Sequence, residues 1–313
     1  MSSTQNISLK STKLIGLDKC FNEMIKLYEF NSLPKVLLLS GKKGIGKFTL
    51  VLHFLNYIFS KNDKNIYNLK DKSININSSF YKSILNNNLT DVIFLQAENA
   101  KNLKIDDIRN LKSTLSKSSL SNNPRFTVID EVEFLNSNST NALLKTLEEP
   151  NKNNYFILIN NQQANLVETI SSRCLKNNIY LDSNQRKKII DYFIINKKIK
   201  NFIDENENLT PGLMVMYSEI SSKFKIDISE NLLLKITKLL HGYKKDKDKV
   251  LINMSFFLID QFFYNLVKQN NNKIEFLLNL KSNINNKIND FIVFNLNINS
   301  VLNSIELKLK NVR

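Results

Sequence analysis

One short glycine-rich loop constrains the fold of this chain more strongly than any other feature. The sequence of 313 residues contains six glycines, and three of them, Gly41, Gly44 and Gly46, lie close together. They directly follow the apolar run at residues 36–40 and precede a helix-like stretch. Glycine is favoured where the backbone must take left-handed torsions or turn tightly. This order predicts a buried strand that turns through a special loop into a helix.

Apolar runs of β-leaning composition recur through the first part of the chain. They lie at residues 36–40, 91–95, 126–130, 155–160 and 178–181. Their hydrophobicity is continuous rather than alternating, which indicates strands buried on both faces. Helix-like stretches at 49–59 and 140–147 lie between some of them, and such alternation is typical of a parallel sheet with right-handed crossovers. These runs predict an α/β domain with a parallel five-stranded sheet.

The pattern changes to helical spacing after about residue 182. Asp182 and Ser183 are good N-cap residues, and Ile189, Ile190 and Phe193 follow at helical intervals. Because β-like runs largely vanish beyond this point, the remainder of the chain is predicted to be helical.

The composition makes the chain basic without assigning it a function. Lys and Arg number 44 against 29 Asp and Glu, for a formal charge of +15. Such an excess favours polyanionic partners and leaves a free nucleic-acid-binding module open as one functional class. However, the sequence has 39 lysines and 5 arginines among many Asn, Ile and Phe residues, a profile typical of an AT-rich genome. Part of the charge therefore reflects codon usage.

Residues that bind metals or form disulfides are scarce. Two cysteines, Cys20 and Cys174, exclude a disulfide framework and a four-cysteine zinc site. Two histidines, His53 and His241, leave no His/Cys ligand set, so zinc is not expected. The first residues form no apolar signal segment, and no stretch reaches the roughly 18 uncharged apolar residues of a spanning helix. The expectation is a reduced, cytoplasmic protein without a membrane segment.

The glycine loop reads GKKGIGKFT and has the spacing of a phosphate-binding loop. In such loops the glycines let backbone N–H groups turn inward, and a lysine, here Lys47, reaches the β- and γ-phosphates. The alternative is a Gly/Lys turn without function. The loop predicts ATP or ADP as a ligand. The candidate nucleotide-binding residues are Gly41, Gly44, Ile45, Gly46, Lys47, Phe48 and Thr49.

The residue after the loop lysine departs from this pattern. A Ser or Thr is expected there, because its hydroxyl binds Mg²⁺, but the chain has Phe48, with Thr49 one place later. One residue along a helix is a rotation of about 100°, so Thr49 should not direct its hydroxyl to the metal position. Nucleotide binding is predicted, whereas Mg²⁺ binding and hydrolysis are disfavoured.

Two acids end the third apolar run. In P-loop ATPases the first acid, here Asp130, supports Mg²⁺ and the second, here Glu131, orients the attacking water. The alternative is a strand that ends in a charged turn. Behind a phosphate-binding loop, we interpret the pair as candidate catalytic residues if the chain is an active ATPase.

A third group of motifs lies between residues 141 and 174. Residues 141–150 read NALLKTLEEP, and the predicted fourth strand and Ser172, Arg173 and Cys174 follow. In this order, behind the glycine loop and the two acids, the motifs resemble the AAA+ clamp-loader subunits of bacterial DNA polymerase III and their replication factor C relatives. The resemblance implies a AAA+ domain at 1–181, a helical lid at 182–222 and a helical collar at 223–313 that joins a pentamer.

The resemblance gives Arg173 a specific role. In that family the arginine of the SRC motif is a finger that reaches the γ-phosphate bound by a neighbouring subunit. A planar, permanently charged guanidinium suits this task, because it stabilises phosphoryl charge across an interface. Arg173 is therefore the candidate catalytic residue acting in trans.

The resemblance also separates two types of subunit. Motor subunits of the family usually carry GKT or GKS and a four-cysteine zinc module, whereas this chain has GKFT and an Asn/Lys-rich stretch at 60–90. In the lid, Leu213 stands where an active subunit usually has an arginine. These departures favour a stator subunit that has no ATPase activity of its own and supplies Arg173.

The expected partners follow from the same resemblance. A stator would join gamma- or tau-like motor subunits and a delta-like subunit, and would act on the sliding clamp and primed DNA through that complex. Within the polymerase holoenzyme it would take part in DNA replication. The preserved Asp130–Glu131 pair leaves a catalytically active AAA+ clamp-loader ATPase open as the alternative.

Overall fold

A computed structural model describes residues 11–96, 103, 105–116, 123–197, 209–227, 229–269 and 273–310. The chain forms two compact units. Of the described residues, those up to 197 and 209–214 belong to the first unit, and those from 215 to 310 belong to the second. The predicted boundaries of lid and collar stay a prediction.

The first unit is built on a sheet of five strands in the order β2-β3-β4-β1-β5. The strands are β1 Val36–Ser40, β2 Val92–Gln96, β3 Arg125–Asp130, β4 Asn154–Asn160 and β5 Leu175–Asn178. All four neighbouring pairs are parallel. The helices described in this unit are α1 Asp18–Glu29, α2 Lys47–Phe59, α3 Ser79–Leu85, α4 Ile105–Ser116, α5 Ser137–Glu148, α6 Glu168–Ser171 and α7 Ser183–Lys197. The predicted α/β class and parallel five-stranded sheet are confirmed.

Two hydrophobic cores cover the two faces of this sheet. Alternate residues of β1 divide between them: Leu37 and Leu39 pack with α1, α2 and α3, whereas Val36 and Leu38 pack with α4, α5 and α6. Each strand residue points to the face opposite that of its neighbour, so a strand buried on both sides must be apolar throughout. This arrangement explains the continuous hydrophobicity of the run at 36–40.

The position predicted for the fifth strand is wrong. The apolar run at 178–181 was expected to form it, but β5 is Leu175–Asn178, and its side chains are largely exposed. Among the described strands, β5 lies at an edge of the sheet, where its one partner is β1. An edge strand that is open to solvent does not require apolar residues, so the hydrophobic signal falls beyond it, on buried Ile179.

The start of α7 confirms Asp182 as the N-cap, whereas Ser183, the other predicted candidate, is the first residue of the helix. The Asp182 carboxylate accepts a hydrogen bond from the Gln185 backbone N–H at 2.7 Å, and the Gln185 side chain accepts one from the Asp182 N–H at 2.9 Å. This reciprocal pair is a capping box, which satisfies backbone donors that the first helical turn leaves unpaired.

The described part of the second unit is helical. α8 Pro211–Lys223 begins in the first unit and ends in the second, and it is followed by α9 Leu232–Asp246, α10 Lys249–Gln269, α11 Ile274–Phe294 and α12 Ile298–Lys310. Buried aliphatic residues repeat at helical spacing, such as Ile236, Leu239 and Leu240 in α9 and Ile284 and Ile288 in α11. They form the centre of a helical bundle. The helical C-terminal region predicted from the sequence is thereby confirmed for the described residues.

Helix α10 is long and apolar enough to cross a membrane by length and composition alone. Within the second unit it packs against α9 and α11, and Met254, Ile259 and Phe263 are almost fully buried there. Asp260 interrupts the apolar run of this helix.

His53 of α2 lies inside the core of the first unit and has no solvent exposure. Its Nε2 lies 3.1 Å from the Ser11 carbonyl oxygen, and its Nδ1 lies 2.8 Å from the Tyr67 hydroxyl. Because a carbonyl only accepts, Nε2 carries the proton and Nδ1 accepts from Tyr67. Burial lowers the pKa of His53 to about 4, so the folded protein holds this ring neutral.

We expect the free energy of unfolding to decrease as the pH falls from about 6.5 towards 4. In that window the unfolded chain protonates His53 and the folded chain does not, which removes up to about 3 kcal/mol. Denaturant titrations at several pH values, on the native chain and on His53→Gln, measure this contribution. The variant should show a flatter pH dependence, and identical slopes would contradict the assignment.

Candidate functional site

Three strands bring the candidate residues to one edge of the sheet. β1, β3 and β4 are parallel neighbours and end at Ser40, Asp130 and Asn160, with Ser40 opposite Asn160 and Asp130 opposite Ile159. The carboxyl ends of parallel strands share one edge, where ligands of open α/β sheets bind. The glycine loop, the acid pair and the segment after β4 therefore meet there.

The glycine loop has the backbone that its sequence predicts. Gly44 and Gly46 have left-handed φ angles of 84° and 98°. Gly41 has a different requirement, because a Cβ on it would lie 2.4 Å from the Ile179 carbonyl oxygen. With the N-terminus of α2 directly behind it, the loop fits a nucleotide phosphate group.

Lys47 is the first residue of α2 and is 2% exposed. Its Nζ donates to the carbonyl oxygens of Gly41 at 2.6 Å and Lys42 at 2.8 Å. Burial lowers the pKa of Lys47 to about 8, against the opposing effect of the carboxylates of Asp130 and Glu133. Lys47 thus lies inside the turn of the loop, as a phosphate-binding lysine requires.

Phe48 belongs to the hydrophobic core. The side chain is 9% exposed, and its ring centroid lies 5.7 Å from that of Phe94 in β2. Thr49, the next residue of α2, is half-buried. The position from which the loop would supply a hydroxyl to Mg²⁺ is therefore filled by an aromatic ring that packs against the sheet.

Asp130 makes hydrogen bonds with donors of the protein itself. Its Oδ1 accepts from the Glu131 N–H at 2.9 Å and from Asn161 Nδ2 at 3.1 Å. Its Oδ2 lies 3.5 Å from Gln96 Nε2. Glu131 in turn forms an ion pair with Lys43 of the glycine loop, with 2.8 Å between Nζ and Oε1. The acid pair is thus connected to the loop by a charge contact that the sequence did not predict.

Two residues of this site were missed by sequence reasoning. The Asn161 backbone N–H donates to both carboxylate oxygens of Glu133, at 3.0 and 3.1 Å, while its side chain binds Asp130. Burial raises the pKa of Glu133. The signal in the sequence was the polar pair Asn160–Asn161 at the end of the apolar fourth strand. In a parallel sheet the end of this strand must lie beside the end of a neighbouring strand.

The glycine loop lacks one of the ligands that magnesium usually has in such loops. Phe48 offers no hydroxyl, and both oxygens of Asp130 are engaged by protein donors. The departure from a magnesium-binding loop therefore lies at Phe48, where no hydroxyl ligand is present.

The start of α8 packs against the glycine loop. Thr210 Oγ1 donates to the Lys43 carbonyl oxygen at 2.7 Å, and the Gly212 N–H donates to the Gly44 carbonyl oxygen at 2.8 Å. Leu213 lies beside the same turn, because a Cβ on Gly44 would be 2.9 Å from the Leu213 nitrogen. The position at which the sequence offers Leu213 in place of an arginine is therefore adjacent to the loop.

Arg173 lies at the opposite end of the strands, where the amino ends of β1 and β5 meet. β5 begins at Leu175, opposite Leu37 of β1, and Arg173 precedes it. The rise along β1 from Leu37 to Gly41 is about 13 Å. The length of β1 therefore separates the backbone of Arg173 from the glycine loop.

The guanidinium of Arg173 is bound by Glu148 and by the backbone of Thr169. Nε and Nη2 lie 2.7 and 2.5 Å from Glu148 Oε1 at the end of α5, and Nη1 donates to the Thr169 carbonyl oxygen at 2.9 Å. The side chain remains one-third exposed. The structure thus brings the loop and acid pair together and places Arg173 apart from both.

Comparisons with known proteins agree with these motifs. The sequence model of the family described as DNA polymerase III, delta subunit, matches residues 16–182. A DNA polymerase III subunit delta' of Buchnera aphidicola subsp. Schizaphis graminum is 28% identical over 209 residues, which are 66% of this chain and 60% of that protein. A DNA polymerase III subunit gamma of the same organism is 30% identical over 166 residues, 52% of this chain and 43% of that protein.

A solved structure is also similar in outline. It is a DNA polymerase III gamma subunit-related protein of Thermotoga maritima, with a TM-score of 0.49 and 16% identity, covering 93% of this chain and 99% of that chain. This chain matches 60% and 43% of the length of the two Buchnera relatives.

Proposed function

The chain belongs to the family of DNA polymerase III delta subunits, and we propose from this premise that it is the delta-prime-like stator of a clamp loader. In this role it joins gamma- or tau-like motor subunits and a delta-like subunit. It presents Arg173 to the ATP of a neighbouring motor subunit, and the complex loads the sliding clamp onto primed DNA. Its own glycine loop is a nucleotide-binding site without magnesium-dependent hydrolysis.

The observation that carries this proposal is the place of Arg173. It lies at the amino edge of the sheet, where Glu148 and Thr169 hold it, whereas the glycine loop follows the carboxyl end of β1. An arginine so placed serves a nucleotide outside its own chain. A guanidinium contributed by a neighbour stabilises the charge that develops on the transferring phosphoryl group.

An active ATPase is the second candidate, because Lys47, Asp130 and Glu131 meet at one edge. Two features favour the stator over it. Phe48 is part of the core, and Leu213 lies beside the loop, where it offers no charge to a nucleotide. The charge of +15 alone supports a free nucleic-acid-binding module only weakly, because it follows the lysine-rich composition.

Assembly is the first test of the proposal. We expect the tagged full-length chain, co-expressed with the gamma- and delta-like subunits of its own organism, to purify in a complex of fixed stoichiometry. Size-exclusion chromatography with subunit quantification measures this. A chain that elutes alone under conditions in which the other subunits associate would contradict the stator role.

A further inference from the structure

An ion pair joins Lys43 of the glycine loop to Glu131, the residue after β3. The Nζ and Oε1 atoms lie 2.8 Å apart, and the Glu131 side chain is 6% exposed against 31% for Lys43. Glu131 has a left-handed φ of 59°, which is uncommon for a residue with a side chain. In P-loop ATPases the second acid orients the water that attacks the terminal phosphate. Lys43 therefore has its charge at the terminal-phosphate end of the loop.

The loop has a different source of positive charge from the usual one. Magnesium ordinarily neutralises the β- and γ-phosphates, but Phe48 stands where the loop would supply the hydroxyl ligand of the metal. Lys47 is buried and bound to two carbonyl oxygens of the loop. Lys43 is partly exposed, and an ammonium group on a flexible stem can change partners. Two lysines are thus available where one lysine and a metal ion usually act.

We infer that this loop binds the polyphosphate of a nucleoside triphosphate without magnesium, and that Lys43 exchanges Glu131 for phosphate when the nucleotide binds. The contact with Glu131 holds the ammonium group at the edge of the site until then. Thr210 and Gly212 already hold the backbone of the turn through the carbonyl oxygens of Lys43 and Gly44, so we expect the exchange to require only a side-chain movement. The inference rests on the nucleotide-loop part of the proposed function and is independent of Arg173.

Equilibrium binding to the isolated full-length chain tests this inference. The probes are ATP and ADP, measured by calorimetry in excess EDTA and in millimolar Mg²⁺. We expect the dissociation constant for ATP to agree within about threefold between the two conditions, whereas a metal-dependent site loses affinity in EDTA. We expect Lys43→Ala to weaken ATP binding at least about tenfold, since it removes a charge-assisted contact.

Two further variants separate Lys43 from a general effect of charge. Lys42→Ala removes an exposed lysine from the same loop, and we expect it to change the affinity by less than about threefold, because exposed charges are strongly screened. Glu131→Gln frees Lys43 and should tighten ATP binding. Circular dichroism and thermal unfolding verify that each variant is folded.

Several outcomes would overturn the inference. They are an absence of ATP binding, a loss of affinity of tenfold or more in EDTA, equal effects of Lys42→Ala and Lys43→Ala, or weaker binding by Glu131→Gln. The stator role is tested separately, in the assembled complex. A failure of Arg173 there leaves these binding measurements unaffected, and a failure here leaves the role of Arg173 open.

Discussion

Replacement of Arg173 by alanine should abolish ATP turnover at one site of the assembled clamp loader. An arginine supplied in trans is worth about 10³-fold or more in the rate of phosphoryl transfer, because its charge meets the developing charge of the transition state. We expect the DNA-stimulated ATPase rate of a complex rebuilt with Arg173→Ala to fall to the contribution of its other sites. Clamp loading should fall with it, while the complex still assembles.

Two control variants isolate the finger role. Arg173→Lys keeps the charge but loses the planar fork, and it should recover little of the rate. Arg109→Ala removes another arginine, which is exposed and forms an ion pair with Asp106 one helical turn away, and it should leave the rate within about twofold. Normal turnover with Arg173→Ala in a correctly assembled complex would show that Arg173 is not the finger.

Restoring a hydroxyl at position 48 should destabilise the chain without restoring an ATPase. Phe48→Thr removes most of an aromatic side chain that packs against Phe94 and puts a hydroxyl in the core. Large-to-small changes of this kind cost about 3 to 5 kcal/mol. Because Asp130 remains bound to protein donors, we expect no magnesium-dependent hydrolysis. Denaturant unfolding and a turnover assay of the purified chain measure the two effects.

The matched control for this prediction is Phe48→Leu, which keeps an apolar side chain of similar size. It should cost at most about 1.5 kcal/mol. If Phe48→Thr were as stable as the native chain, Phe48 would not be the core residue described here. If Phe48→Thr hydrolysed ATP in Mg²⁺, the absence of a hydroxyl at position 48 would be the main reason why the native site is inactive.

The sequence was sufficient for those parts of the fold whose signals are local. The run at 36–40 is apolar because β1 is covered by a core on each face, and Asp182 and Gln185 are close in sequence when they cap α7. β5 was misplaced because an exposed edge strand has no apolar pattern. The information that fixes β5 is its pairing with β1, which no local pattern displays.

The candidate site shows the same division. The glycine spacing and the acid pair predicted which residues gather at the carboxyl edge of the sheet. The ion pair between Lys43 and Glu131 joins residues 88 positions apart, and the bond between Asn161 and Asp130 joins residues 31 apart. These contacts depend on how strand ends meet in three dimensions. The burial of Phe48 against Phe94 likewise became evident only once β2 and α2 were placed.

The central claim is that this chain serves a neighbour's nucleotide and does not hydrolyse its own. It is tested most directly by comparing the DNA-stimulated ATPase rates of complexes rebuilt with Arg173→Ala and with Lys47→Ala, after verifying assembly of each. The stator account predicts that Arg173→Ala removes turnover at the adjacent site, whereas Lys47→Ala retains at least about half of the native rate. A complex that loses turnover with Lys47→Ala and retains it with Arg173→Ala would contradict the account.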